Sequence, residues 1–403
     1  MITSPDRLLL LAGDSSEELR HRIAADPSDL LARNDLLSPQ PTGRCRLALV
    51  NADAQRLALA KRILDGGTAW RGRKDIWFTP SPLIDGQEGR VAVVFPGLEQ
   101  RFEPVLDDVA AHFDLSQPES IDEQRSVRQH SIALLSAGKL LDAALRRIGV
   151  RPAAVAGHSI GEWNAMMSAG IFTPEGIDRY IEGAGPGVFE LPNCMYAALG
   201  CGVDVAAAII ADLDGIVISH DNCPHQSILC GERDAITIAV SRLSERGISA
   251  RVLSFQSGFH SPFLIPYLDW VRKVADLPIE AASTPVWSAT IAQPFPADEQ
   301  TIRELTVRHL LEPVRFRELI DNMYASGIRV FIQAGVGSVT AFIDDTLAGR
   351  EYLAISANAA GQPGMRQLLR TAAALWVEGA PLRFDQLATR EMFAAAVPDQ
   401  VVA

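Results

Sequence analysis

The chain is short of positive charge. Its 37 Lys and Arg face 49 Asp and Glu, a formal net charge of -12, and a surface of that sign repels a phosphate backbone, so nucleic acid is not expected as a partner. Long apolar runs are missing too: no stretch reaches the roughly 18 residues needed to cross a bilayer. Leu8-Leu9-Leu10-Leu11-Ala12 is too short, and too poor in preceding basic residues, for a secretory signal. A cytoplasmic protein without membrane contact is expected. Cysteine is scarce and odd in number, with Cys45, Cys194, Cys201, Cys223 and Cys230, which suits reduced thiols acting as small buried hydrophobes. Cys194 and Cys201, and Cys223 and Cys230, are spaced too widely for the usual zinc pairs. No metal site is expected.

What the chain has is apolar bulk. With 48% hydrophobic and 21% charged residues over 403 positions, it reads as a globular protein of two or three domains. Residues 1–90 form a small α/β unit: strand Leu8 to Ala12, helix Ser15 to Ala25, strand Cys45 to Asn51, helix Asp53 to Leu64 and strand Asp75 to Thr79. Pro80 to Gly89 reads as a linker. The strand Val91-Ala92-Val93-Val94-Phe95 opens a second domain.

The chemistry centres on Gly157-His158-Ser159-Ile160-Gly161. Apolar residues at helical spacing from Val127 to Ile148, then the short run Pro152 to Ala156, predict helix followed by buried strand. Ile160 to Ala169 returns to helical composition. A G-x-S-x-G between strand and helix pushes the serine out at the apex of a tight turn, beside the unpaired N–H groups of a helix N-terminus. The bare pattern fits an ordinary strand-to-helix connection equally well. Cys194 to Phe255 then alternates as βαββαβ, the order of a ferredoxin-like unit, and delivers the chain to Ser257-Gly258-Phe259-His260-Ser261-Pro262-Phe263. A nucleophilic serine needs a base at neutral pH, and imidazole suits the task. Among later histidines, His220 and His225 flank a predicted turn, leaving His260 and His309.

Four stretches now stand in order: Val93-Val94-Phe95-Pro96-Gly97, Gly157-His158-Ser159-Ile160-Gly161-Glu162, Phe259-His260-Ser261-Pro262-Phe263 and Pro313-Val314-Arg315-Phe316. In order and spacing they resemble the acyl-carrier-protein acyltransferases, namely the acyltransferase domains of polyketide synthases and the malonyl transferases of fatty-acid synthesis. The resemblance covers residues 91 to 380, and residues 1–90 resemble a ketosynthase–acyltransferase linker. It implies an α/β-hydrolase-like parallel-sheet core (91–193 and 257–365), a ferredoxin-like subdomain (194–256), the N-terminal linker-like domain and a C-terminal tail (366–403).

The resemblance also implies roles. Ser159 matches the acylated nucleophile, His260 its general base, and the His309 carbonyl the group that orients the base. The backbone N–H groups of Leu98 and Ile160 match the oxyanion hole. Substrates would be coenzyme A or phosphopantetheine thioesters with a holo acyl carrier protein as partner, and no metal or bound cofactor. Two departures stand out. Leu98-Glu99-Gln100-Arg101 replaces the family's Gln-Gly-Ser-Gln, and the arginine that clamps a malonyl carboxylate is replaced by Ala184. Arg179, five residues earlier, falls on another helix face. A buried carboxylate without its arginine keeps the desolvation cost and loses the compensation, so a non-carboxylated acyl group is expected. Phe259 and Trp163 are further acyl-pocket candidates, and Trp163 is equally suited to core packing. Gln129 and Asn222 are weaker correspondences outside the expected site. The main alternative is an acyl-carrier-protein acyl hydrolase, with a malonyl-specific transferase or an inactive docking scaffold behind it. An unrelated α/β-hydrolase would need an acid and a late histidine in the order Ser, Asp, His.

Overall fold

A computed structural model describes residues 6–84, 90–99, 102–118, 126–184, 188–389 and 392–393. Gln100, Arg101, half of the expected linker and most of the last fourteen residues lie outside the described residues.

The N-terminal unit is a four-stranded antiparallel sheet of β1 (Leu8–Gly13), β2 (Cys45–Val50), β3 (Trp70–Arg71) and β4 (Ile76–Thr79), in the order β1-β2-β4-β3. Its leucine run has no polar alternation because both faces are covered. Leu9 and Leu11 pack with Leu19, Ile23 and Leu57 of helices Ser16–Ala25 and Ala54–Gly66, whereas Leu8 and Leu10 share a cluster with Trp376. Trp376 belongs to a helix, Gly364–Val377, most of whose residues are buried. The stretch expected to be a C-terminal tail therefore begins as core: Ala372, Ala373 and Leu375 fill the space between the N-terminal sheet and the rest of the protein. Arg46 donates to Trp376 O at 2.7 Å, and Arg370 pairs with Asp75 at 2.8 Å.

The chain next forms β5 (Val91–Phe95) and β6 (Ala154–Gly157). It leaves for β7 (Cys194–Leu199), β8 (Ile216–Cys223), β9 (Gln226–Glu232) and β10 (Ala250–Val252). It returns with β11 (Val286–Ser288), β12 (Gln293–Pro294), β13 (Val314–Arg315), β14 (Val330–Gln333) and β15 (Leu353–Ser356). The core sheet runs β12-β11-β6-β5-β14-β15 and is parallel except for β12. The second sheet runs β10-β7-β9-β8, the strand order of a ferredoxin-like unit, with helices Val203–Ile210 and Arg233–Glu245 packed on it. It gains a fifth strand from the later chain: β13 pairs parallel to β8, Val314 opposite His220. Arg315 N also donates to Ala289 O, one residue past β11, at 2.8 Å, so β13 ties the second sheet to the end of a core strand. Among the described residues no helix is long and apolar enough to cross a membrane.

Candidate active site

β5 and β6 lie side by side with Phe95 opposite Gly157, so both strands end at one edge, where sites form in open α/β sheets. The turn leaving β6 is tight. A Cβ on Gly157 would run into the Gly161–Glu162 backbone, and one on Gly161 into the Phe95 and Pro96 carbonyls. Those glycines are required by close approach. Between them Ser159 takes the left-handed backbone conformation, φ +52°, uncommon outside glycine and a feature of serine elbows. His158 N donates to Phe95 O, and Gly161 N and Glu162 N close the first turn of helix Gly161–Ala169 on His158 O and Ser159 O, each at 2.9 Å.

His260 arrives on the turn after β10, itself left-handed at φ +60°. That turn is fixed from several sides. His260 N donates to Leu310 O at 2.8 Å, Ser261 Oγ to Gly258 O at 2.6 Å, and the Tyr196 hydroxyl to Phe259 O at 2.7 Å. Ser159 Oγ lies 2.7 Å from His260 Nε2, and His260 Nδ1 lies 3.2 Å from the Glu312 carbonyl. A carbonyl only accepts, so Nδ1 carries the proton and Nε2 offers its lone pair to the serine hydroxyl. Burial, with the His309 and His158 rings adding to it, holds His260 well below the usual imidazole range. The ring is neutral and able to take a proton.

A cavity of about 100 Å³ opens on the pair. Trp163, Tyr180, Phe189, Tyr196, Phe255, Phe259 and Trp270 contribute aromatic faces to its wall beside aliphatic ones such as Ile181 and Leu310, and no Lys, Arg, Asp or Glu lines it among the described residues. Tyr180 is stacked between Trp163 at 5.4 Å and Trp270 at 4.5 Å. Leu98 and Ile160 line it beside Ser159, and neither of their backbone N–H groups has a partner among the described residues. Glu99 anchors the Leu98 loop: its carboxylate accepts from Ser338 N at 2.7 Å and Ser338 Oγ at 3.2 Å.

Residues 81–370 match the model of the acyl transferase domain family. The chain belongs to that family. Among curated relatives of this acyl transferase domain, a phenolphthiocerol synthesis polyketide synthase of Mycobacterium marinum is 26% identical over 367 residues, covering 83% of this chain and 17% of that protein. The malonyl CoA-acyl carrier protein transacylase of Bacillus subtilis is 27% identical over 220 residues, covering 51% of this chain and 68% of that one. The chain thus spans under a fifth of the synthase and about two thirds of the transacylase. In fold it is similar to the acyltransferase domain of an iterative polyketide synthase in enediyne biosynthesis, with a TM-score of 0.76, 22% identity and coverage of 96% and 100%.

Two expected site residues of the acyl transferase domain need correction. The hydrogen bond that orients His260 runs to the Glu312 carbonyl, with the His309 backbone a lesser contributor. The buried His309 side chain instead faces Glu162, Nδ1 to Oε2 3.5 Å, and stands edge-on to His260 at 5.4 Å. Glu162 Oε2 also accepts from Ala289 N at 2.9 Å, so this pair ties the elbow helix to β11 and to helix Glu299–Leu311. Ala184 packs half-buried against the core and does not line the cavity. Helix Pro174–Glu182 stops at Gly183, and its wall residues are Tyr180 and Ile181. Arg179 is exposed and donates to its own helix at Glu175 O. Trp163 lines the cavity and is also buried among core aromatics, and Phe259 lines it half-buried.

His158, His220 and Asn222 had no expected role. His158 and His220 line the cavity, and Asn222 Oδ1 lies 2.7 Å from His158 Nε2. One signal was legible beforehand, Asn222 as a weak family correspondence; His220 became visible only through the β8–β13 register. All five cysteines are buried and free. Their close pair is Cys194 and Cys230 on neighbouring strands, sulfurs 3.3 Å apart, not the pairs of equal sequence spacing.

Proposed function

We propose that Ser159 and His260 are the nucleophile and general base of a ping-pong acyltransferase that handles non-carboxylated acyl groups. The observation that carries it is the 2.7 Å Ser159–His260 contact, with the far ring nitrogen held on a carbonyl. His260 Nε2 takes the Ser159 proton as Oγ attacks a thioester carbonyl, and the tetrahedral oxygen is held by the Leu98 and Ile160 N–H groups. The C–S bond then breaks, the thiolate leaves with the proton from His260, and an ester remains on Ser159. A phosphopantetheine thiol of a carrier protein reverses these steps with its own sulfur. A positioned base contributes roughly 10²- to 10⁴-fold, and an oxyanion donor about 10²- to 10³-fold. The neutral acyl group is argued from the wall, where no Lys or Arg among the described residues meets a carboxylate.

Intact-mass measurement after incubation with acetyl, butyryl and malonyl thioesters tests this. The expected adduct is present in the wild type, absent in Ser159→Ala, stable to desalting and discharged by a holo carrier protein. Equal labelling of the two proteins removes Ser159 from the reaction. Rapid discharge to free acid, unaffected by carrier, assigns the second step to water and makes the chain a hydrolase.

A further inference from the structure

Most polar groups around the cavity are already paired, except Ser257 Oγ, which lines it and has no hydrogen-bond partner among the described residues. Ser131 Oγ donates to Val127 O, the Tyr196 hydroxyl to Phe259 O, the Trp270 indole N–H to Tyr180 O, and His158 Nε2 contacts Asn222 Oδ1. His220 is different. Its ring is stacked on His158 at 5.3 Å and stands edge-on to His260 at 5.0 Å, and its Nδ1 lies 2.8 Å from Ser219 Oγ. Ser219 Oγ donates its proton to Ile228 O at 3.1 Å. A hydroxyl has one proton to give, so Ser219 accepts from His220, Nδ1 carries the ring proton, and Nε2 carries a lone pair. That nitrogen makes no hydrogen bond among the described residues, and His220 lines the cavity. Burial, with the His260, His158 and His309 rings adding to it, holds His220 well below the usual imidazole range, so at neutral pH it stays an acceptor.

A lone pair at that position repels a carboxylate and rewards a donor. We infer that His220 selects an acyl group bearing a hydroxyl on C2 or C3, whose hydrogen bond Nε2 accepts beside the reacting carbonyl. The inference rests on the proposed acylation of Ser159. It goes further by naming what the pocket recognises. The first amide N–H of a phosphopantetheine arm is separated from the reacting carbonyl by sulfur and two methylenes. A ring this close to His260 is better matched to a substituent one or two carbons along the acyl chain. The rest of the wall is mainly aromatic and aliphatic, with Ser257 Oγ as its other unpaired polar atom, so an acyl hydroxyl beyond the reach of these two groups would be buried unpaired.

The test is competitive loading of the wild type from equal butyryl-CoA and 2-hydroxybutyryl-CoA, or 3-hydroxybutyryl-CoA, each enantiomer separately, with both adducts read by intact mass. One hydroxyacyl thioester is expected to win about fivefold, the size of one neutral hydrogen bond. His220→Leu should bring that ratio to about one or below, and His220→Asn, which retains an acceptor oxygen, should keep part of it. The arm is common to both substrates and cancels. A wild-type ratio near one for every hydroxyacyl group, with butyryl loading intact, overturns this inference and leaves the acyl-enzyme standing. An unchanged ratio in His220→Leu overturns it as well. Should His220→Leu fail to fold, the wild-type ratios decide alone. No loading from any thioester removes both readings.

Discussion

Acid is expected to weaken this fold through the histidines packed at the site, and His158 sets the scale. Its ring is stacked on His220 at 5.3 Å and edged by Phe316 at 5.3 Å and Phe342 at 5.8 Å, with Asn222 as its polar partner. Burial moves it from 6.5 to about 4. A base whose pKa is depressed in the folded state binds protons more readily when unfolded, so between those values stability falls as the pH falls. From about pH 7.5 to about pH 5, His158 alone accounts for about 2 kcal/mol. His220 and His260 are displaced in the same direction. Buried Glu99, Asp142 and Glu378 are raised by burial and act oppositely, gaining stability as they protonate. The net slope therefore mixes both signs, and the informative quantity is a difference. Urea unfolding of wild type and His158→Gln, which offers Asn222 an amide donor and does not titrate, should be measured at both pH values. The acid-induced loss should be smaller in the variant by about 2 kcal/mol or more. Equal losses in the two proteins would refute the reasoning.

Other outcomes follow from the same geometry. His260→Ala should slow Ser159 acylation by roughly a hundredfold or more, followed as an intact-mass time course. A loss below tenfold would mean that another group takes the serine proton. His309→Ala leaves Glu162 buried without its imidazole neighbour, so it should lower unfolding stability by about 1–3 kcal/mol and affect acylation less than His260→Ala does. Acylation collapsing with stability unchanged would assign the His309 side chain to the chemistry instead. In competition between equal acetyl and malonyl thioesters, acetyl should load roughly ten- to a hundredfold faster, the worth of a missing charge-assisted hydrogen bond. Ala184→Arg should leave that ratio unchanged, since position 184 lies outside the cavity wall. A shift towards malonyl would place it in the pocket.

The sequence by itself determined the local structure and the two residues that meet. Apolar runs and glycine spacing placed β5, β6 and the elbow, because strand burial and tight turns are set by adjacent residues. The βαββαβ alternation read correctly for the same reason, since each of its elements buries its own face. The family motifs then singled out Ser159 and His260, which the fold brings to 2.7 Å across 101 positions. What surrounds them was decided by tertiary structure. Which carbonyl meets His260 depends on where helix Glu299–Leu311 ends, a matter of one turn, and the choice fell on Glu312. Position 184 matches the family's arginine by its distance along the chain from Ser159, but the helix expected to carry it stops two residues short. His220 read as a turn residue because its neighbours are polar and close to Pro224, but β13 pairs on β8 from the far side of the sequence and turns that stretch into an inner wall. The helix at 364–377 looked like a tail because the sheet it covers lies some three hundred residues earlier in the chain. Pairings between distant segments leave no periodic trace in either one, and the groups that line this cavity were fixed by such pairings.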